Sequence, residues 1–269
     1  MIRLAMIGAA GRMGRTILRL ASEDAGIRIT GAIERRGHPD LGKDLGELTG
    51  GKASGIRLSD QMDRVLKNAD VAIDFTHASA VESNLKQVTA AKVPCVIGTT
   101  GLPETALKAV KAAARKIAIV QSPNMSIGVN LLLGLTDLAA RVLDESYDAE
   151  IAEIHHRGKK DSPSGTAMKL LEVIAAARGR SLDKDTVFGR KGDVGVRPKG
   201  KLGVLALRGG DVIGDHTVFF LGDGERIELA HKASSRDAFA KGALRAAKFV
   251  FRRPNGLFTM RQVLGMDRV

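Results

Sequence analysis

The sequence predicts an α/β fold in which a parallel, doubly wound sheet is followed by a smaller α+β region with a mixed sheet. Up to about Asn124, short apolar runs of strand length alternate with stretches at helical spacing, which is typical of a parallel sheet with crossover helices. Beyond that point a long amphipathic helix precedes a series of strands. The chain has 269 residues, of which 44% are hydrophobic, enough for one large or two ordinary domains.

The chain opens with a strand, a glycine turn and a helix. The apolar run Ile2–Ile7 leads into Gly-Ala-Ala-Gly-Arg-Met-Gly at residues 8–14, and a second strand, Ile27–Ile33, ends in Glu34. Small residues in such a turn let a pyrophosphate approach the N–H groups of the helix N-terminus. An acidic residue about 20 positions later can accept hydrogen bonds from ribose hydroxyls. This order predicts a Rossmann-type dinucleotide-binding domain.

The end of the second strand leaves the choice of nucleotide open. Glu34 favours free ribose hydroxyls, whereas Arg35 and Arg36 directly after it can bind a 2′-phosphate. Both NADH and NADPH therefore remain candidates. The two arginines also fit a solvated loop.

Two loops follow later strands of the predicted parallel sheet. Apolar runs at 71–73, 94–97 and 117–120 alternate with helical stretches such as 105–115. The second of these runs is followed by Gly-Thr-Thr-Gly at 98–101, and the third by Ser-Pro-Asn-Met at 122–125. Ligands of open α/β sheets bind beyond the carboxyl ends of the strands, so we expect both loops to lie over the nicotinamide half. The alternative is ordinary turn chemistry.

The second half of the chain predicts a mixed or antiparallel sheet. A helix is expected through residues 131–142, and residues 179–203, rich in Gly, Lys, Arg and Asp, are expected to form a surface loop. Strands are expected at residues 149–155, 203–207, 215–221 and 225–231. Two further helices are expected at residues 164–177 and 236–251.

The densest group of reactive side chains lies at residues 153–166. His155 and His156 are adjacent and would point to opposite faces of a strand, so we expect no zinc site. A His can donate or accept a proton near neutrality, and a Lys such as Lys159 can deliver one. The helix that opens at Pro-Ser-Gly-Thr, residues 163–166, offers N–H groups to a carboxylate. The alternative is a capped helix beside a solvated basic loop.

Charge and composition limit the other classes of partner. The net charge is +12, but the basic residues are spread along the chain and only 3% of residues are aromatic, which argues against nucleic acid binding. No apolar run is long enough to span a membrane. Cys95 is the only cysteine and no export signal is evident, so we expect a cytoplasmic protein.

These motifs together resemble those of the 4-hydroxy-tetrahydrodipicolinate (dihydrodipicolinate) reductase family of diaminopimelate and lysine biosynthesis. The strongest signature is E-x-H-H-x-x-K-x-D-x-P-S-G-T, which begins at Glu153. Departures are small: Ser162 replaces a common Ala, and Met125 a common aromatic. The matching segments are 8–14, 74–76, 97–101, 124–130, 153–167, 208–211, 214–216 and 231–236.

The resemblance implies a reaction and its residues. The family reduces a cyclic dicarboxylate with NAD(P)H, and its 4-hydroxyl leaves as water. By matching positions, His155 and Lys159 would handle protons, and His156, Gly165 and Thr166 would bind substrate. The implied cofactor contacts are Gly8, Ala9, Ala10, Gly11, Arg12, Met13, Glu34, Arg35, Gly98, Thr99, Thr100, Ser122, Pro123, Asn124 and Met125.

The resemblance also implies the domain organisation. Residues 1–126 and 236–269 would form a discontinuous dinucleotide-binding domain, and residues 127–235 a substrate-binding domain through which a homotetramer assembles. Two other functions remain open. One is a different dehydrogenase with the same cofactor domain; the other is a nucleotide-sensing or nucleic-acid-binding regulator, which would leave the group at 153–166 unexplained.

Overall fold

The structure, a computed structural model, describes residues 1–266 and divides them into two compact units. Residues 1–127 and the segment from Arg236 onwards form the first unit, and residues 128–235 form the second. Residues 267–269, which the sequence analysis assigns to the dinucleotide-binding domain, lie outside the described part of the chain. In that part no helix is both long and apolar enough to cross a bilayer.

The first unit contains a seven-stranded sheet in which all described pairs are parallel, in the order β12-β6-β5-β4-β1-β2-β3. The C-terminal segment supplies its outermost strand, which pairs with β6. The strands of this sheet are β1 Ile2–Ile7, β2 Ile27–Ile33, β3 Leu58–Ser59, β4 Val71–Asp74, β5 Cys95–Ile97, β6 Ala118–Gln121 and β12 Gly256–Phe258.

The second unit contains a five-stranded mixed sheet in the order β11-β10-β7-β9-β8. Pairs β11/β10 and β10/β7 are antiparallel, whereas β7/β9 and β9/β8 are parallel. The strands are β7 Asp148–His155, β8 Thr186–Phe188, β9 Leu202–Arg208, β10 Gly214–Leu221 and β11 Arg226–Ala233.

Helices cover the sheets of both units. In the first unit apolar side chains of α1 and α9 join those of β1 and β4 in one core cluster. In the second, α6 and α7 pack on one face of the mixed sheet. The helices are α1 Arg12–Ser22, α2 Leu45–Thr49, α3 Met62–Leu66, α4 Val81–Ala90, α5 Glu104–Ala113, α6 Ile127–Val142, α7 Gly165–Ala177, α8 Leu182–Asp185, α9 Asp237–Val250 and α10 Met260–Val263, with a 3-10 turn at Ala78–Ala80.

The α/β fold class predicted from the sequence is confirmed, and the second sheet is mixed. The prediction of a surface loop through residues 179–203 is wrong in its first part. Short helix α8 lies there, and Thr186–Phe188 pairs with β9 at the sheet edge. Edge strands of this length leave little alternation in the sequence, and the basic and glycine-rich residues around this one obscure its β-branched and aromatic character.

Candidate active site and nucleotide-binding turn

The glycine turn after β1 depends on two glycines that have no room for a side chain. Gly8 has a left-handed φ of 81°, and a Cβ there would lie 2.8 Å from the carbonyl oxygen of Phe75. A Cβ on Gly14 would lie only 2.2 Å from the carbonyl oxygen of Gly8. Gly11 is different, since its nearest such contact would be 3.4 Å. The glycines at positions 8 and 14 therefore allow the backbone of α1 to lie directly against the turn.

The N-terminus of α1 is suited to a phosphate. Gly11 is the N-cap residue and offers no side-chain oxygen to the first N–H groups of the helix, which therefore remain available to an anion. Beside the turn lies a cavity of about 540 Å³ whose lining includes Gly8, Gly11 and Glu34. These features fit a dinucleotide, because a pyrophosphate needs close backbone approach and N–H donors.

Glu34 is tied to the turn through its own carboxylate. Oε2 of Glu34 accepts a hydrogen bond from the N–H of Ala10 at 3.2 Å, and Oε1 accepts one from the N–H of Arg35 at 3.0 Å. Arg35 and Arg36 are exposed and line the same cavity. A carboxylate and two guanidinium groups therefore lie together at this end of the cavity. These are the residues from which the sequence could not decide between NADH and NADPH.

The two later loops follow β5 and β6, as predicted. Gly98 and Thr99 are buried and Thr100 is exposed. In the other loop the hydroxyl of Ser122 donates to the carbonyl oxygen of Asn124 at 2.8 Å. Met125 is only 2% exposed, with its side chain in the core of the first unit.

In the second unit, strand β7 brings Glu153 and His155 to the same face. Its side chains alternate between partly exposed and buried, and Ala149, Ile151, Glu153 and His155 all lie on the buried side. Residues two apart in a strand share a face. Nδ1 of His155 donates a hydrogen bond to Oε2 of Glu153 at 2.5 Å, which leaves Nε2 as the free position of the ring.

Glu153 is fully buried and is held by three further donors. Arg208 binds it with both terminal nitrogens, at 2.9 Å to Oε2 and 2.8 Å to Oε1, and the N–H of Ser164 donates to Oε1 at 3.0 Å. Burial raises the pKa of Glu153, but the hydrogen bonds from Arg208, His155 and Ser164 lower it by more, so the pKa lies below its ordinary value. The carboxylate is therefore ionised, and both of its oxygens accept hydrogen bonds.

His155 is poised as a neutral base. Burial lowers its pKa below 6.5, and the bond to Glu153 only partly offsets this. A Cβ on Gly214 would lie 2.9 Å from Nε2 of His155, so the glycine keeps the space beside that nitrogen open. With Nδ1 held by a carboxylate, Nε2 can accept a proton.

His216, on β10, extends the same network. It pairs with Glu153 across the strands, and its Nε2 lies 3.0 Å from the hydroxyl of Ser164. Its ring meets that of His155 edge to face, with centroids 5.1 Å apart. Burial lowers the pKa of His216 to about 4. Within residues 1–266, Nδ1 of His216 has no hydrogen-bond partner.

Lys159 lies on the loop that follows β7. Its Nζ forms an ion pair with Asp161 at 2.9 Å, and its own N–H donates to the carbonyl oxygen of His156 at 3.0 Å. Arg208 donates to the carbonyl oxygen of Asp161 at 2.7 Å. The arginine that holds Glu153 therefore also anchors the loop that carries Lys159.

Helix α7 starts directly after this loop. The hydroxyl of Ser164 caps it by accepting from the N–H of Ala167 at 3.2 Å. Gly165 and Thr166 form the start of its first turn, where N–H groups point out of the helix and can bind a carboxylate. Ser164 at the N-cap of α7, Glu153 and His155 are thus parts of one hydrogen-bonded cluster in the second unit.

The candidates from residues 153–166 lie close together along the chain and in the structure. Sequence reasoning gave neither Arg208 nor His216 a role in the site. The signal that connects them is strand register, since Arg208 pairs with His155 and His216 with Glu153.

Comparison with known proteins gives a consistent result. The sequence profile for "Dihydrodipicolinate reductase, N-terminus" matches residues 2–125, and that for the C-terminus matches residues 128–264. The 4-hydroxy-tetrahydrodipicolinate reductase of Anaeromyxobacter dehalogenans is 48% identical over 99% of this chain and 98% of its own. That of Nitrosospira multiformis is 47% identical over 98% of each chain.

Solved structures share the fold. A dipicolinate-bound dihydrodipicolinate reductase from Paenisporosarcina sp. TG-14 superposes with a TM-score of 0.75 at 24% identity, covering 96% of this chain and 97% of its own. An amine dehydrogenase from Mycobacterium smegmatis gives a TM-score of 0.60 at 15% identity, over 96% and 95%. From the profile matches and the sequence identity, this chain belongs to the dihydrodipicolinate reductase family and is an NAD(P)H-dependent oxidoreductase.

Proposed function

We propose that this chain reduces 4-hydroxy-tetrahydrodipicolinate to tetrahydrodipicolinate with release of water, a step of diaminopimelate and lysine biosynthesis, and that the cluster around His155 handles the protons. The reaction adds a hydride and a proton and expels a hydroxyl as water. NADH or NADPH supplies the hydride when it is bound. The remaining work, which is to hold a dicarboxylate and move protons, belongs to side chains of the second unit.

One observation carries this assignment: the buried Glu153 carboxylate fixes Nδ1 of His155. A neutral His with one nitrogen held and the other open is arranged for proton transfer rather than for packing. Lys159, held at the loop by Arg208 and Asp161, carries protons that it can donate. His155 and Lys159 are therefore the proton-handling residues, with Lys159 the final donor.

The substrate carboxylates need donors with fixed positions. The N–H groups of Gly165 and Thr166, at the start of α7, provide such donors for one carboxylate, and the helix dipole favours the negative charge. His156 binds the substrate from the loop after β7. The dipicolinate-bound relative indicates the class of ligand, a six-membered ring that carries two carboxylates.

The nucleotide is bound by the first unit. Its pyrophosphate lies at the turn of residues 8–13, and its adenosine ribose contacts Glu34 and Arg35. Thr99 is buried and Met125 lies in the core, so both contact the nucleotide mainly through their backbones. The full set is Gly8, Ala9, Ala10, Gly11, Arg12, Met13, Glu34, Arg35, Gly98, Thr99, Thr100, Ser122, Pro123, Asn124 and Met125.

The decisive assay follows nucleotide absorbance with freshly generated product of the preceding synthase as substrate. Wild-type protein should oxidise NADH or NADPH only when that substrate is present. We expect Lys159→Ala to lower kcat about 10²-fold or more, with the dissociation constant of the nucleotide unchanged. Its exposed neighbour Lys160 provides the matched control, Lys160→Ala. Absence of substrate-dependent oxidation by wild type refutes the reductase function, and equal turnover by Lys159→Ala refutes the role of Lys159.

The assembly is a homotetramer and its compartment the cytoplasm. Leu205 and Leu207, two residues apart on β9, are 53% and 43% exposed on the same face of the second unit's sheet, an apolar surface that association would cover. A lone buried Cys95 suits a reducing compartment. Light scattering on the purified protein tests the tetramer: a mass of four chains is expected, and a monomeric mass contradicts it.

A further inference from the structure

A buried carboxyl group lies at the carboxyl end of β4, outside the residues that the family resemblance assigns to cofactor or substrate. Asp74 is the last residue of this strand and is 2% exposed. It pairs with Ile7 on β1 and with Ile97 on β5, which are the residues just before Gly8 and Gly98. Its position is therefore between the glycine turn and the loop that follows β5.

The Asp74 carboxylate is held by neutral donors from three segments. Oδ1 accepts from the N–H of Thr76 at 2.9 Å and from the hydroxyl of Thr76 at 2.7 Å, and Oδ2 accepts from the amide of Asn84 on α4 at 2.9 Å. The hydroxyl of Thr99, in the loop after β5, lies 3.4 Å from Oδ1 and 3.1 Å from the carbonyl oxygen of Thr76. One carboxylate thus joins three separate parts of the chain.

Phe75, the next residue, is in contact with both glycine segments. A Cβ on Gly8 would lie 2.8 Å from its carbonyl oxygen, and a Cβ on Gly98 would lie 2.1 Å from its ring. A displacement of Phe75 would therefore move the turn, the loop after β5, or both. Phe75, Thr76 and Asn84 also line the cavity beside Glu34.

Burying a carboxylate at this position costs free energy that an apolar side chain would not cost. Burial in a site without a paired cation disfavours the ionised form, and burial indeed raises the pKa of Asp74 while the hydrogen bonds from Thr76, Asn84 and Thr99 oppose the rise. An apolar side chain would be compatible with the burial of the neighbouring β4 residues, which are all buried. The carboxylate is instead suited to collecting donors from Thr76, from Asn84 on α4 and from Thr99 in the loop after β5.

We propose that Asp74 is a positioning residue for nucleotide binding, which acts by fixing Phe75, Thr76 and Thr99 and through them the glycine turn and the loop 98–100. This inference rests on the proposed function, because it takes these two segments to contact the nucleotide. Asp74 itself need not touch the ligand. Its contribution is to reduce the freedom of both loops before binding.

The test measures the dissociation constants of NADH and NADPH by titration calorimetry of the purified full-length chain, together with thermal unfolding. In Asp74→Asn one oxygen acceptor becomes an NH2 group that faces donors, so we expect the dissociation constants to rise about tenfold in protein that is still folded. The KM of the nucleotide should rise in parallel, with a smaller change in kcat. A matched control is Asp70→Asn, directly before the first residue of the same strand, where the carboxylate pairs with exposed Arg3.

A second variant covers the case in which Asp74→Asn does not fold. Thr99→Val removes only the hydroxyl that joins the loop after β5 to Asp74 and Thr76, and should also weaken nucleotide binding, whereas Thr99→Ser should restore it. A purely structural role predicts a lower unfolding temperature with unchanged dissociation constants in the folded variants, and that result overturns the inference while leaving the reductase assignment intact. Failure of the wild type to bind either nucleotide refutes the proposed cofactor site itself.

Discussion

Glu153 and His155 lie two residues apart on the buried face of β7, and Oε2 of Glu153 accepts a hydrogen bond from Nδ1 of His155 at 2.5 Å. Arg208 holds the same carboxylate with two nitrogens from the adjacent strand β9. The His155 ring is therefore oriented by a carboxylate that Arg208 itself holds in place. The charge of Glu153 can be removed by a nearly isosteric substitution, Glu153→Gln.

Glu153→Gln should lower the pKa of His155 further. In the wild type the hydrogen bond and the negative charge of Glu153 raise this pKa, whereas burial and the positive charges of Lys159 and Arg208 lower it. The substitution removes the negative charge of Glu153 and leaves the lowering effects of burial, Lys159 and Arg208. NMR titration of the imidazole should show the shift, and kcat should fall at least tenfold because the ring loses its fixed orientation.

The control is Glu172→Gln, on the exposed face of α7, where the carboxylate pairs with Lys169. It should leave both the His155 titration and kcat unchanged. A Glu153→Gln variant in which His155 titrates at a higher pH than in the wild type contradicts the electrostatic account of this pair.

The buried parallel strands were predictable because apolar residues dominate each of them. Strands β1 and β2 occupy the same residues, Ile2–Ile7 and Ile27–Ile33, that the pattern predicted. Burial on both faces leaves little polar alternation in the last residues of each strand, and the glycine turn marks where the first strand ends. Local sequence was sufficient for these elements.

The partners of His155 were not predictable in this way. Arg208 and His216 lie more than 50 residues from Glu153 along the chain and reach it through the register of β9 and β10 with β7. Register follows from the packing of the whole sheet, so no local pattern reveals it. The short strand β8 was missed for a related reason, since pairing with β9 determines it more than its own three residues do.

Stability should decline between about pH 6.5 and pH 4 in part because of His216. Its pKa is lowered by burial from 6.5 to about 4 in the folded state, so the unfolded chain binds more protons in this interval. Stability therefore rises with pH across it, and the contribution of one such group is about 3 kcal/mol over the full interval. Replacement of the ring by an amide, His216→Gln, should flatten the dependence of the unfolding temperature on pH.

Some dependence on pH should remain in His216→Gln, because His155 also has a lowered pKa in the folded state. The control is His77→Gln, since His77 is exposed in the loop after β4. It should leave the wild-type pH dependence unaltered. An equally steep pH dependence in His216→Gln would assign the acid instability to other groups.

Gly14→Ala should destabilise the fold more than Gly11→Ala. The added Cβ at Gly14 would lie 2.2 Å from the carbonyl oxygen of Gly8, whereas at Gly11 the nearest contact is 3.4 Å. Overpacking against backbone costs about 1–3 kcal/mol, and we expect Gly14→Ala to reach the upper part of that range. Chemical denaturation of the two variants measures the difference, and equal free energies of unfolding would disprove the close approach.

Substitutions at Glu34 and Arg35 should shift nucleotide preference in opposite directions. Glu34 presents a carboxylate beside the cavity, where it favours the free 2′-hydroxyl of NADH and repels the 2′-phosphate of NADPH. The exposed guanidinium of Arg35 favours that phosphate. Glu34→Ala should therefore raise the KM for NADH relative to NADPH by about tenfold, and Arg35→Ala should do the reverse.

The control is Arg57→Ala, because Arg57 is an exposed arginine that donates to the carbonyl oxygen of Gly42. This variant should leave the ratio of KM values unchanged. Shifts in the same direction for both variants would show that the two residues do not divide the ribose contacts in this way.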